Sequence, residues 1–109
     1  MCRVLTETET LGASMFVERP LSISDAIRLQ RTLTHLAEAR HTLCPEIKGE
    51  EVVPEPLKST FCERIASFLE SAIKDVEEKG VVERPDEFTR MVYYGKRLQE
   101  EYRCTRARG

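Results

Sequence analysis

The stretch from Leu57 to Gly80, LKSTFCERIASFLESAIKDVEEKG, constrains the fold more than any other part of the chain. Its apolar residues Leu57, Phe61, Ile65, Phe68, Leu69, Ala72, Ile73 and Val76 recur at spacings of three and four. On a helix they form one stripe, with Lys58, Glu63, Arg64, Glu70, Lys74, Glu77 and Lys79 mostly off it. Such a helix buries its stripe only against other elements, so the rest of the chain must supply partners.

Two further helices follow from the same reasoning. Ser22 stands three residues before Asp25, the spacing at which two side chains can satisfy free backbone N–H groups at a helix start. From there Ile23, Ala26, Ile27, Leu29, Leu33, Leu36, Ala37 and Leu43 form an apolar face, interrupted by Gln30 and Arg40, until Pro45 ends it. Pro85 opens the last helix with Asp86 and Glu87 in its first turn, where negative charge meets the positive end of the helix dipole. Its stripe is Phe88, Met91, Val92, Gly95, Leu98 and Tyr102, with Gly95 admitting a close neighbour.

The connections are less determinate. Residues 45–56, PEIKGEEVVPEP, carry three prolines and read as an extended link that either turns locally or crosses the bundle, with Val52 and Val53 as a possible edge strand. Val4, Thr6, Thr8 and Thr10 alternate at period two near the N-terminus, which predicts either a short β-hairpin with Met15, Phe16 and Val17 or a loose arm. No internal repeat is apparent. The expected fold is all-α: an antiparallel three-helix bundle with an N-terminal extended or short β-hairpin arm. Its parts are the arm at 1–20, the bundle domain at 21–104 with helices at about 22–44, 57–79 and 85–103, and a frayed tail at 105–109.

Charge excludes some functions. The 17 basic and 19 acidic side chains nearly cancel, so no global field is available to hold a polyanion or an anionic membrane. No apolar run approaches the length of a membrane span, and no leader-like segment opens the chain, which predicts a cytoplasmic protein with no membrane partner. Cys2, Cys44, Cys62 and Cys104 form no C-x-x-C pair, so reduced thiols are the default; abundant Glu, Arg and Lys lean toward a thermophilic source, where disulfides become possible.

Each candidate site has a plain structural reading beside it. If the 45–56 link turns locally, Cys44, Cys62 and Cys104 meet at one pole and form a candidate metal site, which needs Cys2 or another ligand to complete four donors. As small apolar residues they suit a core better, as inert buried thiols. Lys96, Arg97, Arg103, Arg106 and Arg108, interleaved with Tyr93, Tyr94 and Tyr102, could contact nucleic acid or an acidic partner, although basic residues also suit a helix C-terminus. His35 and His41 are six apart and do not share a helix face as a metal pair would.

The spacing of Arg28 and His35 resembles the Arg-x4-6-His signature of small helical HEPN-type ribonucleases, which implies a pair handling a scissile phosphate. The resemblance covers these two residues, with no polar residue beside Arg28 to extend it. Acidic pairs at metal-binding spacing, phosphate loops and nucleophile–base sets are not found, and no cofactor is expected. The reading is a small non-enzymatic helical interaction or assembly subunit, working with a protein partner or as a homo-oligomer. A nucleic-acid-associated subunit and a Cys-ligated metal module are its alternatives.

Overall fold

The segment that alternates Val4, Thr6, Thr8 and Thr10 folds as a helix, and the β-hairpin or extended arm expected there is not formed. The computed structural model describes residues 1–80 and 85–104, and among these there are five helices and no strand. They are α1 (Cys2–Glu18), α2 (Ile23–Leu43), α3 (Gly49–Val52), α4 (Leu57–Lys79) and α5 (Pro85–Glu101). The expected three-helix bundle is therefore corrected to four long helices with a one-turn helix between the second and third of them. Residues 105–109, the expected tail, lie outside the described residues.

The reason lies in a second periodicity within the same segment. Glu9, Gly12, Ala13 and Phe16 are the buried residues of α1, and their spacing of three and four puts them on one helical face. The threonines that suggested a strand are accommodated by back-bonding. Thr6, Thr8 and Thr10 donate their hydroxyls to the carbonyls of Arg3, Val4 and Thr6 at 3.1, 2.7 and 2.9 Å, one turn earlier. Tertiary packing, not β-propensity, decides the outcome.

The long helices run up, down, up and down. Helix α1 lies against α2 and α4, and α5 lies against α2 and α4, so the four close a ring around one core. Small residues set two of these approaches. A Cβ on Gly12 would stand 2.9 Å from Leu33 Cδ2, and one on Gly95 would stand 3.0 Å from Leu69 Cδ2. The core between them holds Phe16, Leu33, Phe61, Ile65, Leu69, Met91, Leu98 and Tyr102. Edge-to-face rings thread it, with Phe68, Phe16, Phe61 and Tyr102 in sequence at centroid distances of 5.6, 5.5 and 5.5 Å.

The helix ends are closed by local chemistry. Ser22 Oγ accepts the N–H of Asp25 at 3.1 Å and starts α2. At the far end of α1, Arg64 of α4 donates to the carbonyls of Val17 and Arg19 at 3.0 and 3.1 Å, while its guanidinium lies over the Phe16 and Phe68 rings. Gly80 ends α4 at φ 73°, a left-handed conformation that costs glycine little. Residues 45–56 turn locally, and Val52 and Val53 are buried core residues rather than an edge strand.

The four long helices form two hairpins, α1–α2 and α4–α5, each tied at its open end by a disulfide. Cys2 joins Cys44 across α1–α2, and Cys62 joins Cys104 across α4–α5, each with a sequence separation of 42. The reduced thiols expected from the sequence are corrected accordingly. The tetrapeptide Val-Glu-Arg-Pro occurs twice in the sequence, at 17–20 and 82–85, a short repeat that corrects the expectation of none.

Candidate functional site at the disulfide pole

Both disulfides lie where α1 and α4 begin and α2 and α5 end, and the chain's buried charges gather at the same pole. One turn before Cys44, Arg40 is fully buried on the inner face of α2. Its Nε donates to Glu9 Oε1 at 2.8 Å, its Nη2 to Glu9 Oε2 at 3.2 Å and to Glu101 Oε2, and its Nη1 to the Ile47 carbonyl at 2.9 Å. Tyr102, also fully buried, donates its hydroxyl to Glu9 Oε2 at 2.5 Å. At the rim His41 Nε2 pairs with Glu101 Oε1 at 2.7 Å, its ring largely in solvent.

This cluster ties α1, α2, α5 and the loop before α3 to one guanidinium. Burial works against the charge on Arg40, but the hydrogen bonds and charges of Glu9 and Glu101 outweigh it and hold the group above its ordinary value. Burial, then the charge of Glu9, pushes the Tyr102 phenol above its ordinary value. A guanidinium that keeps its proton and a phenol that keeps its own serve as hydrogen-bond donors, not as proton shuttles. The arrangement is a brace: charges buried together, each with partners.

The brace also explains a glycine. A Cβ on Gly49 would stand 2.4 Å from the Glu101 carbonyl oxygen and 3.2 Å from Glu101 Oε2, so only glycine lets α3 approach the end of α5. Thr10 completes the contact from α1, its one hydroxyl proton shared between the Thr6 carbonyl at 2.9 Å and the Val52 carbonyl at 2.7 Å.

The open surfaces among the described residues include three hollows. A cleft of about 350 Å³ beside the second disulfide is lined by Lys58, Ser59, Cys62, Gln99, Arg103 and Cys104, with Glu55, Glu63 and Ala66. A groove of about 620 Å³ runs between α1 and α3 past Thr6, Glu7, Thr10, Leu11, Ile47 and Val52. A third, of about 490 Å³, follows α5 past Phe88, Val92, Tyr93, Lys96 and Arg97.

The sequence-derived candidates fall as follows. Cys44, Cys62 and Cys104 do belong to one pole, yet Cys44 is bonded to Cys2 and Cys62 to Cys104, so no thiolate is left to bind a metal. Among the described residues no group of three or more His, Cys, Asp or Glu side chains could hold a metal ion. Lys96 is exposed; Arg97 reaches Glu38 at 3.7 Å and Arg103 reaches Glu50 at 3.5 Å, so the two arginines are held by acidic neighbours. Arg106 and Arg108 lie outside the described residues. Arg28 is exposed, and His35 stands between Arg31 and Glu38, both at 3.5 Å.

Sequence reasoning missed Glu9, Arg40, Glu101 and Tyr102 as a group. One signal was present: Arg40 and Gln30 interrupt an otherwise apolar face, and a charge on a buried face needs a partner. The matched spacing of the cysteines was a second. No helix among the described residues is long and apolar enough to cross a membrane. Comparisons with known protein families, with curated proteins and with solved structures return no match.

Proposed function

We propose that this protein is a small helical assembly module that pairs with a second copy of itself along the outer face of α1. The observation that carries this reading is the stripe Met1, Val4, Thr8, Leu11 and Met15, whose alternating spacing of three and four is that of a coiled-coil seam. Met1, Val4 and Leu11 are 82, 65 and 61 % exposed, although an inner face of the same helix is fully packed. Exposed apolar side chains in register on one helix favour a matching helix as cover. A two-fold pair lets one stripe serve both copies. The groove beside Leu11, with Ile47 and Val52 in its floor, gives the partner helix somewhere to seat.

Sedimentation equilibrium tests it. A dimer is expected for the wild-type chain, and a folded monomer for Leu11→Glu, because a charge on an exposed seam costs the pair and not the fold. A wild-type chain that stays monomeric up to about 100 μM, a modest affinity for any specific pair, contradicts the reading.

A second reading, contact with nucleic acid or an acidic protein, is favoured by the α5 groove, where Tyr93 is 54 % exposed beside Lys96 and Arg97. Binding to a single-stranded oligonucleotide that weakens steeply with salt and is lost in Lys96→Glu with Arg97→Glu supports it; no binding at low salt removes it. The compartment follows from the cysteines. Two disulfides support an oxidising compartment, or the cytoplasm of a thermophile, over the ordinary reducing cytoplasm.

A further inference from the structure

The two disulfides are matched in spacing but not in access. Cys44 is fully buried, one turn from Arg40, and its partner Cys2 is half-buried, whereas both Cys62 and Cys104 line an open cleft with two cations, Lys58 and Arg103. Lys58 stands one turn before Cys62 on α4. Of the two carboxylates in the cleft, Glu55 is engaged by the N–H and hydroxyl of Ser59 at 3.2 and 2.7 Å. The other is Glu63.

A second observation concerns the backbone that presents Cys104. Helix α5 ends in a Schellman turn, with Cys104 N–H bonded to the Gln99 carbonyl at 2.7 Å and Arg103 N–H to the Glu100 carbonyl at 3.3 Å. The residue at its left-handed position is Arg103, at φ 58°, where glycine would incur no steric cost. The turn therefore carries a guanidinium beside the disulfide at some expense in backbone energy, the kind of local strain that accompanies functional positions.

We propose that Cys62–Cys104 is a thiol–disulfide exchange site, its cleft admitting a low-molecular-mass thiol whose carboxylate is received by Arg103. The polarity of attack follows from the charges beside each sulfur. Cys62 has the Lys58 ammonium one turn before it on α4, which favours a thiolate; Cys104 follows the end of α5, where carbonyl dipoles disfavour one. Cys62 is thus the better leaving group. The incoming thiolate sulfur attacks Cys104 Sγ, the Sγ–Sγ bond breaks, and its electron pair leaves on Cys62 Sγ. A second thiolate attacks the sulfur of the first in the mixed disulfide, releasing the external disulfide and Cys104 as a thiolate. Two external thiols are oxidised and one protein disulfide is reduced, with two electrons transferred. Opening it unties the α4–α5 hairpin, while Tyr102 remains held by Glu9 and the Phe61 ring.

The test uses the native protein with reduced glutathione, sampled over time, quenched with a maleimide and mapped by mass spectrometry. Cys62 and Cys104 are expected to open about tenfold or more faster than Cys2 and Cys44, with a transient glutathione adduct on Cys104. Arg103→Gln and Lys58→Gln are each expected to slow this step about threefold or more, at an unchanged denaturation midpoint for the disulfide-bonded protein. Labelling of all four cysteines at one rate, as global unfolding would give, overturns the proposal. So does an adduct carried on Cys62, or a rate indifferent to both substitutions.

Discussion

The α1–α2 hairpin keeps polar groups on its inner face, with Glu9, Gln30, Thr34 and Arg40 all buried, whereas the α4–α5 hairpin fills the same layer with Phe61, Ile65, Leu69, Met91 and Leu98. From the second hairpin only Tyr102 and the shielded carboxylate of Glu101 reach into the first one's polar cluster. The contrast extends to the disulfides, one with its Cys44 half buried beside the charged brace and one with both halves facing a cleft. Both hairpins supply apolar cohesion, the first through Phe16, Ile27 and Leu33, but the directional bonds that fix which helices meet at the pole and in what register are carried mainly by the first.

The largest expected effect breaks the brace. Arg40→Met leaves Glu9 and Glu101 shielded without their cation and should cost about 3–5 kcal/mol in urea denaturation. A cost under about 1 kcal/mol, the range of an exposed pair, would show that the cluster is solvated in practice. Next come the disulfides. Cys2→Ser with Cys44→Ser, and Cys62→Ser with Cys104→Ser, should each cost about 2–4 kcal/mol. Because both close loops of the same length, the loop-entropy contribution is common to the two. Any difference between the measured costs therefore reports the native surroundings, and the Cys2–Cys44 pair, whose Cys44 is fully buried, is expected to cost more.

Gln30 offers a change in the opposite direction. Both polar atoms of its side chain are buried without a hydrogen-bond partner. Gln30→Met keeps the length of the side chain and removes the desolvated amide, so stability should rise by about 1–2 kcal/mol. A loss would mean that the amide is satisfied in solution. The smallest effect is alkaline. The Tyr102 phenol is raised above its ordinary value of 10.0, so the folded state holds that proton longer than the unfolded chain does. Its contribution is complete below pH 10 and is lost as pH rises above it. Thermal unfolding should therefore fall more steeply above pH 10 for the wild type than for Tyr102→Phe.

The helices that carry strong stripes could be read from the chain because their apolar residues had a single reasonable period. Helix α4 is such a case: Phe61, Ile65 and Leu69 are all buried on one face. Helix α1 misled because, apart from Phe16, its inner face is built of Glu9, Gly12 and Ala13, residues that carry little hydrophobic signal, while its outer face displays Val4, Thr8 and Leu11. Position α3 was hidden by prolines on either side of a four-residue helix. The charged brace was illegible for a different reason. Glu9, Arg40 and Glu101 are separated by 31 and 61 residues, and nothing local distinguishes a paired buried carboxylate from a solvated one. Cysteine pairing has the same character, since four cysteines allow three connectivities and the chain alone does not choose among them.

All of this rests on two hairpins, each closed by its own disulfide at a shared pole. Peptide mapping of the unreduced protein, after blocking free thiols, tests that most directly. Cross-linked peptides joining Cys2 to Cys44 and Cys62 to Cys104, with no cysteine blocked, are the predicted result. Links between the hairpins, such as Cys44 to Cys104, or four freely blocked thiols would contradict it.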